Sequence, residues 1–409
     1  MPELEKAPTE ELLLRISFVF VSGFALAEGL QNWIRGKIET HPEVVAILLI
    51  TYLVAFAALG IGMSDDRVIK RFRHLPLSVL IWLLLASGYV ISQVNLNGAY
   101  GSDSLAFAHY AAISFVKGVN PYGRDLQDAL RLFSVDPQFI TLTPSGSIVT
   151  ILNYPALSFL LLVPAVICGV ADMRVVIFFF EIVALVSIYY WAPVEIRPIV
   201  LLPVFAGADL AINFSSGSIA DFLWVLPLLY VLISLKRPWL AGVFYGISCA
   251  TKQTPWLLAP FLLIWVYNDR VEFPRGERVR RAASFAVSAV ASFLVPNLWF
   301  IYQDYSLWWQ GVITPSFGNL VILSQGLSMI SEIGYVPLPP HFYLITFIAV
   351  FVTLVFNYAV YFDKLKHAIW VMPMLAMWFS YRGLQNYFIF WIPLLVTSAI
   401  YMYKERSRA

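Results

Sequence analysis

Charge is scarce in this chain. Only 13% of its 409 residues are Asp, Glu, Lys or Arg, against about 25% in an ordinary soluble domain. The formal net charge is +2, which offers no basic surface to nucleic acid, and no such partner is expected. Cysteine is scarcer still. Cys168 and Cys249 both lie inside apolar runs, which excludes a disulfide framework and reads as packing. No His/Cys cluster has metal-ligand spacing, and one Asp among scattered polar groups makes a poor cation cage. There is no internal repeat of fixed period and no low-complexity segment. The N-terminus, MPELEKAPTEELLLR, lacks the basic start and cleavage site of a signal peptide, so the first apolar run is expected to stay as an anchor.

What fills the chain is apolar. Hydrophobic residues make up 60% and aromatic residues 16%, with a mean hydropathy of +0.75. These values point to an all-α integral membrane protein, because only helices and closed barrels satisfy their backbone in lipid. A spanning helix needs about 20 apolar residues. Candidate runs are 12–33, 44–63, 77–96, 156–171, 175–192, 199–214, 220–235, 283–302, 341–362, 368–380 and 386–403. Residues 239–267 form a longer run interrupted by Lys252-Gln253-Thr254-Pro255. The expected architecture is a polytopic helical bundle of about twelve or thirteen crossings.

Orientation follows the positive charges. The basic loops DDRVIKRFRH (65–74), LKRP (235–238), NDRVEFPRGERVRR (268–281), DKLKH (363–367) and KERSR (404–408) are placed in the cytoplasm. The run 239–267 then begins and ends on one side and must turn near Lys252. Segments 97–155 and 303–340 fall outside, with the turn 381–385. Counting simple crossings from 156 to 235 puts LKRP outside, against its charge. Either 199–214 is a re-entrant pair bent at Pro203, or one span is miscounted, and both readings stay open.

Several polar features meet on the outer side. Asp103 follows a span. The stretch 104–117, SLAFAHYAAISFVK, has helical apolar spacing, as for a helix lying in the interface, and Gly118-Val119-Asn120-Pro121-Tyr122 stops it. Asn153-Tyr154-Pro155 leads into the next run. Ser215-Ser216-Gly217-Ser218 and Asp221 sit at the end of another. Lys252 and Gln253 lie at the hairpin turn, and Tyr381, Arg382, Gln385, Asn386 and Tyr387 between the last two spans. Ionisable residues near membrane depth are costly and point to function. Lys, Arg and one or two Asp residues on one face would suit an anionic ligand and a proton acceptor.

Asp103 after the first core span, GVNPY, NYP, SSGSIAD at a helix end, GVFYGISCATKQTPWLLAPF and DYSLWWQGVITPSFGNLVILSQGLSMI together resemble the membrane-embedded GT-C glycosyltransferases. The similarity is greatest to the branch of polyprenyl-phosphate-sugar-dependent mannosyltransferases. It covers roughly 77–400, so 1–76 reads as two added transmembrane helices ahead of a catalytic core, 77–409, with outer loops 97–155 and 303–340. The resemblance implies inverting transfer of a sugar, mannose favoured, from a polyprenyl-phosphate donor to a hydroxyl of a lipid, glycan or protein acceptor on the extracytoplasmic side. A multi-pass place in a prokaryotic plasma membrane goes with it. By resemblance Asp103 is the base that deprotonates the acceptor. The transition state would be oxocarbenium-like, and the lipid phosphate leaves as a stable anion without a separate acid. Lys252 and Arg382 are the candidates to hold that phosphate. Possible substrate contacts are Tyr100, His109, Tyr110, Asn120, Tyr122, Tyr154, Asp221, Gln253, Asn386 and Tyr387. No cofactor is expected beyond the lipid-linked donor, with a divalent metal left open. Many relatives have Gly-Gln where this chain has Gly217-Ser218, and some have two adjacent acids where it has only Asp103.

Each residue also has a plainer reading. Asp103 could cap a helix. Lys252 could snorkel to the membrane edge, and Arg382 could be an anchor. Asp221 and Asp209 could be structural acceptors. His109 and Tyr110 could be packing, and Tyr122 and Tyr154 interface aromatics. Asp65-Asp66 reads as a solvated turn. The rival functions are a lipid-linked sugar flippase or transporter, whose broken helices would look similar, and a non-catalytic membrane subunit. A transferase needs Asp103, Lys252 and Arg382 around one cavity.

Overall fold

A computed structural model describes residues 10–29, 41–207, 209–269, 272–317 and 320–407. The last part of the expected first span, 30–33, and the Asp209 side chain lie outside the described residues. The fold is all-α and polytopic. Its only ladder among the described residues pairs Leu323–Ser324 (β1) in parallel with Arg382–Gly383 (β2).

Among the described residues, six helices are long and apolar enough to cross a membrane: Pro42–Gly62, Leu75–Asn95, Arg174–Trp191, Arg275–Gln303, Pro340–Val360 and Gln385–Arg406. A seventh crossing arises if Arg197–Phe205 and Leu210–Ser216, bent by 75°, form one span. Among the described residues, full-length helices therefore account for six or seven of the expected twelve or thirteen crossings. The run 156–171 folds as Leu157–Leu160 and Val163–Ile167, with Pro164 in the first turn of the second piece. The run 220–235 gives Phe222–Ser234, and 368–380 gives only Val371–Trp378. Counting apolar residues ignores whether the backbone ladder is continuous, and prolines interrupt it. Pro203 lies inside the first member of the bent pair, so the bend falls after Phe205 and not at the proline.

Contacts group the chain into two compact units: residues 1–99 with 178–217 and 406–409, and residues 100–177 with 218–405. In the first, Glu10–Glu28 packs on Pro42–Gly62, Arg15 reaches Asp66 at 2.8 Å, and the Trp82 indole donates to Thr51 at 2.9 Å. Asp66 of the Asp65-Asp66 turn is thus an ion-pair partner. Cys249 is buried as expected, whereas Cys168 is exposed.

The second unit is organised by four helices: α1 (Phe222–Ser234), α2 (Pro238–Thr251), α3 (Ala259–Asn268) and α4 (Arg275–Gln303). α2 and α4 run side by side in the same direction at close range. A Cβ on Gly242 would lie 2.3 Å from the Phe285 carbonyl oxygen, and one on Gly246 would lie 2.2 Å from that of Ala289. Glycine at these two positions lets the backbones meet, as small residues do between membrane helices.

This arrangement places the basic loops. α1 leaves Asp221 and reaches Leu235, and α2 returns from Pro238 to Lys252. LKRP therefore lies at the far end of the hairpin from Lys252. The level of Gly242 against Phe285 puts it beside 275–281. Lys366 bonds Asp269 and Glu405, both at 2.9 Å, and His367 contacts Glu405 at 3.1 Å. Three further basic loops are thus tied together at that same end. The turn in 239–267 falls at Lys252 as expected.

Segment 97–155 also has its expected helix, Asp103–Val116, ended by Gly118 at φ 75°. The Gly118 and Val119 amides donate to the carbonyls of Phe115 and Ser114 at 2.9 Å, a left-handed C-terminal cap that favours glycine. Half of this helix is buried, including Leu105, Phe107, His109 and Ala112, so it packs in a core as well as presenting a polar N-terminus.

Replacing Gly246 by Val is expected to lower stability by about 1–3 kcal/mol through overpacking against α4. The gain in helix propensity over glycine, at most about 1 kcal/mol, does not offset this. The thermal unfolding midpoint in detergent, compared with a lipid-facing control at Val295, checks it.

Candidate active site

The site forms where α1 begins and α2 ends. Ser218, at φ 74°, turns the chain so that Asp221 enters α1 from within the core. Its Oδ1 accepts from the Trp224 indole at 2.6 Å and its Oδ2 from the Asn386 amide at 2.8 Å. Lys252 breaks α2 with an extended backbone, φ −153° and ψ 155°, and Pro255 restarts a helix. Its ammonium pairs with Asp221 Oδ1 and lies over the rings of Tyr387, at 5.1 Å, and Tyr154, at 5.8 Å. Side-chain exposure is 13% for Lys252 and 2% for Asp221. Buried charges persist only when paired and hydrogen-bonded, and here both conditions hold.

Gln253 is a brace. Its amide donates to the Asn153 carbonyl at 2.9 Å and the Val312 carbonyl at 2.8 Å, joining the helix break to both of the segments 97–155 and 303–340. Tyr122, buried, donates to the Tyr154 carbonyl at 2.8 Å, and Asn120 accepts from the Tyr122 amide at 3.0 Å. GVNPY thus holds NYP in place. Burial pushes the Tyr154 hydroxyl up to about 12 against the pull of Lys252, so it remains a neutral donor.

Beside Lys252 opens a cavity of about 460 Å³. Its polar wall includes Thr141, Asn153, Tyr154, Lys252, Arg382 and Tyr387; Trp256, Leu344, Phe347 and Met377 form part of its apolar wall. Leu344 and Phe347 belong to the span Pro340–Val360, so the apolar wall includes a membrane helix. Arg382 is carried by β2, which the pairing of Leu323 with Arg382 fastens to the segment 303–340. Its Nη1 reaches the Val321 carbonyl at 3.5 Å. Arg382 Nε and Asn153 Oδ1 are buried and make no hydrogen bond, which leaves a donor and an acceptor available at the wall.

Asp103 stands just behind this wall. Ser102 takes the capping role, accepting from the Ser104 amide at 3.1 Å. The Asp103 carboxylate is thereby spared and accepts from the Thr141 amide at 2.7 Å. Burial raises its pKa above the ordinary 3.8, while Thr141 and the Arg382 charge act in the other direction. Tyr100 and His109 are placed elsewhere. They lie 3.0 Å apart, stack on Phe133, and Tyr100 accepts from the Met173 amide at 2.9 Å. Burial lowers His109 to about 4, so it is neutral packing. Tyr110 packs against the same core.

Of the residues read from the sequence, Lys252, Arg382, Tyr154, Gln253 and Tyr387 meet at one cavity, and Asp221 and Asn386 meet behind Lys252. Thr141, Asn153 and Trp224 were not foreseen as site residues. Asn153 stands in the NYP stretch, but nothing in the sequence relates Thr141 to Asp103. Among the described residues no group of three or more His, Cys, Asp or Glu is placed to hold a metal.

A cavity with two cations, an acid hydrogen-bonded behind its wall and an apolar side that includes a membrane helix belongs to a multi-pass membrane glycosyltransferase of GT-C type. The chain is a member of Glycosyltransferase family 87, whose sequence model matches residues 152–388, more than half its length. That match spans Tyr154, Asp221, Lys252, Arg382 and Asn386, while Asp103 precedes it. No curated protein and no solved structure matches the chain.

Removing Lys252 alone strands a buried carboxylate, which typically costs about 3–5 kcal/mol. Lys252→Met is therefore expected to destabilise more than Lys252→Met combined with Asp221→Asn, a sign that thermal midpoints of the two variants read directly.

Proposed function

We propose that the protein transfers a sugar, mannose favoured, from a polyprenyl-phosphate donor to a hydroxyl of a lipid, glycan or protein acceptor on the extracytoplasmic face of a prokaryotic plasma membrane. The observation that carries this reading is that Lys252 and Arg382 line one cavity, and that Asp103 accepts from the amide of Thr141 on its wall. The apolar wall suits a prenyl chain, and the cations suit its phosphate. Asp103 takes the acceptor proton as the acceptor oxygen attacks the anomeric carbon. The bond from that carbon to the phosphate oxygen breaks on the opposite face, and its electron pair stays on the phosphate. Charge developing there is met chiefly by Arg382, while Lys252, paired with Asp221, contributes N–H donors from the same wall. The reading needs no cofactor. Its sidedness is supported by the gathering of basic loops at the end of the helices away from the cavity.

Transfer from a panel of polyprenyl-phosphate sugars by the purified protein in nanodiscs tests the proposal. Asp103→Asn is expected to stay folded and to lose about 10²–10⁴-fold in kcat. Equal rates from both would remove Asp103 as the base, and no transfer with any donor would remove the reaction itself. Because the base must be ionised and burial raises its pKa, kcat/KM is expected to fall as pH drops, with the acid limb above pH 3.8 and absent in the residual activity of Asp103→Asn.

A further inference from the structure

The charges around the cavity cancel. Lys252 is neutralised by Asp221, and the pair is too buried for water to screen it. Arg382 forms no ion pair among the described residues, and the acid whose charge it meets is Asp103. Glu332, whose partner Ser324 adjoins β2, accepts from the Ser324 amide at 2.8 Å and does not pair with Arg382 among the described residues. Two cations therefore face two carboxylates, and only one of the cations is unclaimed by a close carboxylate.

A lipid joined to a sugar by a single phosphate carries one negative charge, and one joined by a diphosphate carries two. The first is matched by Arg382 alone. The second needs a further cation, and the nearest, Lys252, is already committed. The transfer step keeps the same balance. When Asp103 takes the acceptor proton it loses its charge, while the departing phosphate gains one, so Arg382 passes from the acid to the leaving group without a second cation.

We infer that Asp221 determines donor specificity: by holding Lys252 neutralised it restricts the cavity to lipids bearing one phosphate and excludes those bearing a diphosphate. This deepens the lipid-phosphate reading of the same site and rests on it.

Binding of a sugar-linked prenyl phosphate and a sugar-linked prenyl diphosphate of equal chain length to the full-length protein in nanodiscs tests the inference. Wild type is expected to prefer the monophosphate by about tenfold or more, the order of one charge at short range in a partly desolvated site. Asp221→Asn keeps the acceptor for Trp224, and Asn386 can turn its amide to match. This variant frees the Lys252 charge and is expected to shrink the preference by about tenfold. Combining it with Lys252→Gln removes both charges and is expected to restore the wild-type ratio. If Asp221→Asn does not fold, Thr254→Lys adds a cation at the cavity wall without touching the pair and is expected to shrink the preference likewise. A ratio unmoved by the single variants overturns the inference while leaving the lipid-phosphate reading intact. Failure of wild type to bind either lipid overturns both.

Discussion

The contact between Lys252 and Asp221 is the constraint on which the second unit depends. A lysine and an aspartate buried this far are tolerable only as a pair. Pairing them requires the start of α1 and the end of α2 to meet, and Asn386 adds the turn before the last helix to the same acid. Three separate stretches of chain are thus brought to one point. The apolar helices supply most of the buried area, but they would pack in several registers. The polar cluster admits only the register that satisfies its charges.

The same pair sets the character of the cavity. A lysine held by a carboxylate and flanked by two tyrosine rings is a weaker anion attractor than its charge suggests. Arg382, strapped by β1 and left with an unsatisfied Nε, is the stronger one. Asp103 keeps its carboxylate for the Thr141 amide because Ser102 performs the capping. Neighbouring residues with similar chemistry therefore have separate jobs, divided by their hydrogen bonds.

At the other end of the helices, Lys366, Asp269, Glu405 and His367 gather ends of three basic loops. Since α3 and the final helix each run from the cavity to this cluster, the ionic contacts fix the far end as Lys252–Asp221 fixes the near one. Between the two lie Gly242 and Gly246, where α2 and α4 come into backbone contact.

The sequence by itself determined the class of the protein: its apolar composition leaves no fold but helices in lipid, and the scarcity of charge makes each buried ion conspicuous. Lys252, Arg382 and Asp103 stood out for that reason, and the turn at Lys252 followed from loop charges. The sequence did not determine the number of full-length helices, because hydropathy does not register where prolines and bends interrupt the backbone ladder. Nor did it determine who pairs with whom. Asp221 and Lys252 are distant in the chain, as are Asp103 and Thr141, and Tyr100 and Met173. Such partners are chosen by three-dimensional packing, where a buried polar atom must find the nearest complementary one. Only the tertiary structure could therefore distinguish His109, which is packing, from Tyr154, which faces the cavity.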